Sequence, residues 1–431
     1  MRDLALLVFI LFSSYYILRS PFIGVALSIW TSLFTPNLWV FGFGQSLRIN
    51  FLFLALFLIS LIINKSKIKN VDYKFTPLCF THIAFFLLGT LSALFTISQE
   101  DVVWLEWSYF YKTLLLYFFV VFVVHTEVQV KTILWAMVLS VSFIGLSEGL
   151  KYVLSGGGHV IVGVLYSKMQ DRNSLALAMN MILPLLFLLR NYTENKKVKT
   201  FLLIIAIFNI IAILGSFSRG GLIGLIVVGF FYFLRSDRKI IISVFAVVIG
   251  IGAVNFMPDR WTQRMNTIES ADQDESFLGR VVAWKQAVLI ANDHPLVGVG
   301  FKGGQNQAIW TYYKPDFDIF NSIIDTSNTN FVQAKAAHSI YFQVMGDMGY
   351  TGLSLFLLLL FTSYRYIRFA EKNLPRASFF HDLAGMTKIS LAAYAVAGAA
   401  LSLPYFDILY VIFGLSTIVY LKAKAMKTAH D

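Results

Sequence analysis

The sequence predicts an all-α polytopic membrane protein of roughly 12 or 13 transmembrane helices, with one long, partly helical loop between them. Of its 431 residues, 57% are hydrophobic and 14% are charged, whereas about a quarter of the residues in soluble proteins are charged. The mean hydropathy is +0.69. Apolar runs of about 17 or more residues recur along most of the chain, and they lack the alternation that membrane-spanning strands show.

The predicted spans are apolar runs separated by polar or glycine-containing connections. They cover roughly residues 3–18, 22–36, 49–63, 77–96, 110–124, 130–154, 173–190, 200–216, 220–235, 239–256, 338–364, 384–403 and 405–421. The first two runs are short and close together, so the count is roughly 12 or 13. The first run is not followed by a small-residue cleavage site, which favours an uncleaved span over a signal peptide.

Basic connections predict how the chain is oriented in the membrane. Lys and Arg concentrate in cytoplasmic connections. Basic stretches fall between alternate spans at residues 65–74, 191–199, 235–239, 365–376 and 422–427. The same rule explains the net charge of +11 without a nucleic-acid partner. The C-terminus is therefore predicted in the cytoplasm, and the side of the N-terminus stays open.

The predicted domain organisation follows from these spans. Helices over 1–256 lead to a long extracytoplasmic loop over 257–337, then to further helices over 338–421 and a cytoplasmic tail over 422–431. Within the loop, residues 276–293 have the spacing of an amphipathic helix, with Ser276 as its N-cap. The loop is mildly acidic, so anion binding on that face would depend on individual arginines.

The sequence contains no signature for a metal or a nucleotide. Cys79 is the single cysteine, which excludes a disulfide framework and a thiolate metal site. There is no H-E-x-x-H pair, no Walker A loop and no G-x-G-x-x-G after a strand. We therefore expect no metal and no cofactor, and nucleotide-driven transport is disfavoured.

Two arginines are predicted at helix starts on the extracytoplasmic side. Arg219 follows Ser218 in a tight junction between two spans, and Arg280 lies in the first turn of the loop helix. A helix N-terminus favours an anion, so a cation there is mildly unfavourable unless an anion joins it. The alternatives are a headgroup anchor for Arg219 and a salt bridge to Asp274 or Glu275 for Arg280.

His338 and Asp347 stand near the start of the span that begins at 338. A histidine can act as a general base near neutral pH. The alternative for His338 is a hydrogen-bonded cap for the helix that Ser339 helps to begin. Asp347 lies among closely spaced glycines, so it either faces a cavity or supports close helix packing.

Two further polar groups are expected on the same side of the membrane. Glu148, Lys151 and His159 follow one another near the outer end of a span, and Asp171 and Arg172 open the next one. These residues either line the same cavity as His338 or pair with one another.

Six short motifs follow one another along the chain. They are S-R-G-G (218–221), R-W (260–261), S-x-x-G-R-x-x-x-W (276–284), H-P-L-x-G-x-G (294–300), H-S-I-Y (338–341) and G-D-x-G-x-x-G (346–352). Taken in this order, they resemble the O-antigen ligase family, the bacterial membrane glycosyltransferases that also include O-antigen polymerases and protein O-oligosaccharyltransferases. The residues that carry the resemblance are Ser218, Arg219, Gly220, Arg260, Trp261, Gly279, Arg280, Trp284, Pro295, Gly298, Gly300, His338, Ser339, Gly346, Asp347, Gly349 and Gly352.

Residues 171–185 also resemble the subfamily of O-glycosylation ligases associated with exosortase systems. That subfamily has an acidic residue followed by two asparagines, and here Arg172 replaces the first of them. The subfamily, and with it the acceptor, therefore stays open.

The resemblance implies a GT-C-like membrane glycosyltransferase in the bacterial inner membrane. A glycan on undecaprenyl diphosphate would pass, on the periplasmic side and without a metal, to a lipid A–core sugar or to a protein Ser or Thr. His338 is then the expected catalytic base, and Arg219, Arg280 and Arg260 hold the diphosphate. Asp347, Ser218 and Ser339 are expected to support them.

Two rival functions remain on the sequence. An O-antigen polymerase of the same superfamily would extend a glycan on its lipid carrier, and the motifs do not separate it from a ligase. A transporter would show inverted repeats, broken helices and buried ion-coupling residues near the membrane midplane. The candidate residues instead gather at one face, which disfavours transport.

Overall fold

The computed structural model describes residues 1–65, 75–237, 239–240, 243–244, 275–327, 329 and 331–430. Every regular element within these residues is a helix, as predicted. The helices are α1 (Arg2–Arg19), α2 (Pro21–Phe34), α3 (Ile49–Ile63), α4 (Pro77–Leu94), α5 (Glu100–Val123), α6 (Glu127–Leu154), α7 (Arg172–Asn191), α8 (Lys196–Gly215), α9 (Arg219–Arg235), α10 (Glu275–Asp293), α11 (Gln307–Tyr313), α12 (Ile340–Asn373), α13 (Phe379–Ala397) and α14 (Asp407–His430).

The helices identify a multi-pass membrane protein. Among the described residues, 7 helices are long and apolar enough to cross a membrane, and α2 and α3 are shorter apolar helices. The predicted total of roughly 12 or 13 spans stays a prediction. The predicted span at 239–256 falls largely outside the described residues. The last helix continues to His430, through the residues that the sequence assigned to a tail.

Side-chain caps start several helices where the sequence offers a short polar residue. Thr126 and Gln129 form a capping box at the start of α6. Asp171 accepts from two backbone N–H groups at the start of α7, and Ser218 accepts from the Gly221 N–H at the start of α9. These caps satisfy backbone donors that have no partner inside the helix.

One end of the bundle contains the predicted site and is called the His338 end. It comprises the connections 35–48, 95–99, 155–171, 216–218 and 398–406 together with α10 and α11. Asp3 accepts hydrogen bonds from the Gly42 and Gly44 N–H groups at 3.1 and 2.9 Å. The N-terminus of α1 therefore lies at the His338 end, which the sequence left open.

The core surrounds α7. This helix packs against α6, α8, α9 and α13, and its residues from Ser174 to Leu186 are all buried. An apolar helix surrounded by other helices needs no polar face, and α7 is buried on every side over this stretch. The start of α7 is thereby fixed at the His338 end.

A loop formed by residues 294–302, called the docking loop, lies against a kink in α12. Gly349 has φ +68° there, a left-handed conformation that interrupts the helical hydrogen bonds. The Gly346 and Asp347 carbonyls instead accept from the Val299 and Gly300 N–H groups, at 3.2 and 3.1 Å. The loop thus replaces the bonds that the kink removes, and it positions α10, which ends just before it.

Candidate active site

His338 lies immediately before α12, in a backbone conformation that few residues adopt. Its φ is +43°, and histidine is among the residues that tolerate this region. Its backbone N–H donates to the Ser402 hydroxyl at 2.8 Å. The half-buried imidazole makes no hydrogen bond to any described residue. The ring is therefore not the helix cap that the sequence offered as the alternative.

Ser339 has a backbone role at the start of α12. It is the N-cap residue, yet its side chain makes no capping bond, and its carbonyl accepts the Gln343 N–H at 2.9 Å. The residue is buried. Its contribution is to begin the helix directly after His338.

The position of Arg280 relative to His338 is set by contacts of Trp284, which lies one helical turn further along α10. The Trp284 indole N–H donates to the Ala337 carbonyl at 2.6 Å, and its ring stacks on Phe342 with centroids 5.2 Å apart. Residues four apart share a helix face. These contacts therefore direct Arg280 toward the segment that ends in His338.

Two charges act on the imidazole of His338. Partial burial and the Arg280 guanidinium lower the pKa of His338 below its ordinary value, whereas the Asp171 carboxylate opposes this shift. Both lowering effects disfavour the protonated ring. His338 is therefore neutral near pH 7, which is the state in which a base accepts a proton.

Ser218 and Arg219 begin α9 close to the turn that follows α13. The Ser218 hydroxyl accepts the Gly221 N–H at 3.0 Å. A Cβ on Gly220 would lie 3.7 Å from the Ala400 side chain, so the first turn of α9 touches residues 398–400. Arg219 is half-buried at this junction.

The turn at 398–402 connects the starts of α9 and α12. A Cβ on Gly398 would lie 2.7 Å from Ile340 in the first turn of α12, and Ser402 binds the His338 N–H. On the other side, a Cβ on Gly221 of α9 would lie 2.7 Å from the Ala176 side chain, near the start of α7. The N-termini of α7, α9 and α12 therefore meet at one end of the bundle. Helix N-termini and arginines together favour an anion.

Comparison with known families identifies two segments of the chain. Residues 201–357 match the family model described as O-Antigen ligase. This segment belongs to the O-antigen ligase family. Residues 1–194 match a model described as Family of unknown function (DUF5935), and no curated protein matches the chain. The predicted resemblance is confirmed at the level of the family, and the exosortase-associated subfamily stays a prediction.

Asp347 lies nine residues after His338, at the docking loop. Its carboxylate accepts the Lys302 backbone N–H at 2.9 Å and the Tyr405 hydroxyl at 3.0 Å. Its carbonyl also accepts from Ser92 at 2.6 Å. The side chain is 2% exposed. Asp347 thus fixes the loop that supports α10, which explains an acidic residue inside an apolar helix.

The two polar groups that the sequence left open have different partners. Glu148 pairs with Lys151 at 2.6 Å and with His159 at 2.7 Å, so these three pair with one another. Asp171 instead caps α7 and lies within electrostatic range of His338. Among the described residues, no three His, Cys, Asp or Glu side chains are grouped as metal ligands.

The expected N-cap Ser276 and the expected diphosphate ligand Arg260 remain to be compared with the structure. The loop helix begins at Glu275, so Ser276 lies inside its first turn and does not precede it as a cap. Arg260 lies outside the described residues. Sequence reasoning missed Ser402, because a serine in a short connection gives no signal until the tertiary fold brings it to His338.

Proposed function

We propose that this member of the O-antigen ligase family transfers a glycan from undecaprenyl diphosphate to an acceptor hydroxyl, with His338 as the base. The observation that carries the proposal is a half-buried imidazole without a side-chain hydrogen bond to any described residue, within electrostatic range of Arg280 and at the end of the bundle where α7, α9 and α12 begin. Such a place combines a proton acceptor with a site for a diphosphate. The family match over residues 201–357 supports the same class of reaction.

The proposed reaction is a direct displacement at the anomeric carbon. The acceptor hydroxyl gives its proton to the His338 imidazole while its oxygen bonds to the anomeric carbon. The bond from that carbon to the diphosphate oxygen breaks, and the lipid diphosphate leaves with the electron pair. Arg219 and Arg280 stabilise the leaving group, since one guanidinium group can donate two parallel hydrogen bonds to two phosphate oxygens. Arg260 is proposed as a helper, Ser218 and Ser339 as supports through their helix starts, and the anomeric centre is inverted.

The proposed setting is the bacterial inner membrane, with the His338 end in the periplasm. The basic connections favour a cytoplasmic C-terminus, because Lys and Arg concentrate in cytoplasmic connections. Asp3 ties the start of α1 to the 42–44 connection, so the N-terminus lies on the periplasmic side in this orientation. The division into helices over 1–256, a periplasmic loop over 257–337, helices over 338–421 and a tail over 422–431 is proposed with it.

A transfer assay tests the proposal and separates the alternatives within the class. Purified protein is incubated with an undecaprenyl-diphosphate-linked oligosaccharide and with either lipid A–core or periplasmic protein. Glycan on one acceptor supports a ligase and identifies the acceptor class. A ladder of longer glycans on the lipid carrier supports a polymerase. Transfer to neither, with no lengthening of the donor glycan, contradicts the proposal.

The pH dependence of transfer is expected to move in opposite directions in two variants. In wild type the acidic limb of kcat/KM lies below the ordinary histidine pKa, because the base is active only when neutral. Asp171→Asn keeps a capping residue but removes the charge that raises the pKa of His338, so the limb moves to lower pH. Arg280→Gln removes the charge that lowers this pKa, so the limb moves to higher pH. Shifts in the same direction would contradict the assignment.

Arg280→Gln and Arg219→Gln are also expected to weaken use of the diphosphate donor. Each should lower kcat/KM by about 10²-fold, because a fixed cation stabilises the charge that develops on the leaving diphosphate. Arg280→Lys should recover only part of this loss, since lysine cannot bind two oxygens in parallel. Arg365→Gln, an exposed arginine at the opposite end, is the matched control. Equal activity of all these variants would exclude the diphosphate role.

A further inference from the structure

A cavity separate from the candidate active site lies at the His338 end and is formed mainly by α2, α3 and α5. It has a volume of about 460 Å³ and is called the α3–α5 cavity. Lys168 and Asp407 also line it. The connection between α13 and α14 reaches both sites, because its Ser402 binds His338 and Asp407 follows it. The cavity is thus a neighbour of the proposed active site and shares none of its predicted residues.

The charges that line the α3–α5 cavity favour an anion. Asp407 is the one carboxylate among the lining residues, and it pairs with Lys168 at 3.1 Å. Ser32 and Thr113 donate to the same carboxylate, each at 2.8 Å. The remaining lining cations, Arg48 and Lys112, form no ion pair with a described residue. Two positive charges therefore stay uncompensated around the cavity.

Ser28, Thr31 and Asn50 form a polar wall of the cavity, and one hydroxyl in this wall has no hydrogen-bond partner among the described residues. Ser28 is 3% exposed, and its hydroxyl has no hydrogen-bond partner among the described residues. Buried polar groups are normally paired, and an exception calls for a ligand or water. The neighbouring Asn50 amide donates to the Thr31 hydroxyl at 2.9 Å. A ligand in the cavity would meet this polar wall together with the two cations.

Two exposed aromatic side chains flank the cavity, one on α3 and one on α5. Phe51 on α3 and Tyr109 on α5 line it and are 70% and 44% exposed. Deeper along the same helices, the rings of Phe57 and Phe119 close the gap with centroids 4.8 Å apart. Exposed aromatic rings on the helices of a membrane protein face lipid, so we infer that the cavity is open to lipid between α3 and α5. Its occupant should therefore carry a hydrocarbon chain as well as an anionic head.

The expected depth of Arg48 and Lys112 in the membrane matches the depth of lipid headgroups. Trp104, Trp107, Tyr109 and Tyr111 form an aromatic segment of α5 just before Lys112. Aromatic belts mark the membrane–water interface. Arg48 immediately precedes the apolar helix α3 and so lies at a comparable level. Both cations are therefore placed where lipid phosphates lie.

We propose that the α3–α5 cavity binds a phosphate-bearing lipid, with its head beside Arg48 and Lys112 and its chain between α3 and α5. Two lipid sources share this chemistry, a polyprenyl phosphate and an anionic glycerophospholipid. The site is separate from the diphosphate site at Arg219 and Arg280. It does not depend on which acceptor the transferase uses.

Lipid binding to the purified full-length chain tests the proposal by native mass spectrometry. The probes are undecaprenyl phosphate and dioleoylphosphatidylglycerol, with undecaprenol and dioleoylglycerol as phosphate-free counterparts. Arg48→Gln/Lys112→Gln should weaken binding of at least one phosphate lipid about tenfold, since charged hydrogen bonds to phosphate are lost. Both side chains are exposed, so the fold should persist. The phosphate lipid that loses affinity identifies the source.

The control is Arg2→Gln/Lys151→Gln, which removes the same charge from two exposed positions at the same end. It should bind as wild type does. Wild type and both double variants keep Arg219 and Arg280. Lipid bound at the proposed diphosphate site should therefore be the same in all three proteins. Equal weakening in both double variants, or equal binding of the phosphate-free lipids, would overturn the proposal.

Discussion

Replacing His338 with Asn is expected to reduce glycan transfer by about 10²–10⁴-fold, the usual contribution of a positioned general base. Asparagine cannot take up the proton of an acceptor hydroxyl. It tolerates the positive φ of 43° that His338 adopts, so the backbone before α12 should be kept. The rate of transfer from the lipid-linked donor is the measurement, with thermal unfolding of the purified variant beside it.

A second histidine at the same end of the bundle provides a control, because its replacement shows whether losing any imidazole there lowers the rate of transfer. His159 lies in the 155–171 connection, and its ring pairs with Glu148 at 2.7 Å. His159→Asn should transfer glycan at nearly the wild-type rate. If His338→Asn is folded and equally active, His338 is not the base. If donor binding falls as much as turnover, its role is in binding and not in proton transfer.

Gly349→Ala is expected to give the largest loss of stability. A Cβ there would lie 2.4 Å from the Pro295 carbonyl oxygen and 2.7 Å from that of His294, and φ is +68°. The left-handed conformation alone costs about 1–3 kcal/mol for a residue with a side chain. The docking loop must also move, so α10 and Arg280 lose their position. A lower unfolding temperature and a loss of transfer should appear together.

Gly346→Ala is the matched control in the same helix. Its Cβ would lie 3.7 Å from the Ala287 Cβ, which is ordinary contact, and its backbone is helical. Small changes in the unfolding temperature are therefore expected. If both variants unfold at the wild-type temperature, the kink is not the constraint that we infer. If both are equally destabilised, close helix packing and not the left-handed backbone explains the glycines.

The interpretation of Asp347 shows where sequence reasoning stopped. A carboxylate inside an apolar span indicates a function or a partner, and the sequence does not say which. Its partners are the Lys302 N–H and the Tyr405 hydroxyl, from segments 45 and 58 residues away along the chain. Because both arrive through the tertiary fold, no local pattern could have named them.

The arginines show a case in which local patterns were more informative. Arg219 and Arg280 were expected at helix starts, and both lie in the first two turns of α9 and α10. Ser218 as a cap followed from its residue type and position. The convergence of α7, α9 and α12 did not follow, because it depends on how long helices pack against one another.

The sequence by itself determined the all-α membrane fold, the position of most helices and the family of the 201–357 segment. Hydrophobic run length and capping residues act locally, so they can be followed along a single chain. Only the tertiary structure decided that Ser402 binds the His338 N–H, that Asp171 lies within electrostatic range of His338, that Asp347 fixes the docking loop, and that the α3–α5 cavity exists. Each of these depends on contacts between distant segments, whose geometry is set by helix packing and not by neighbouring residues.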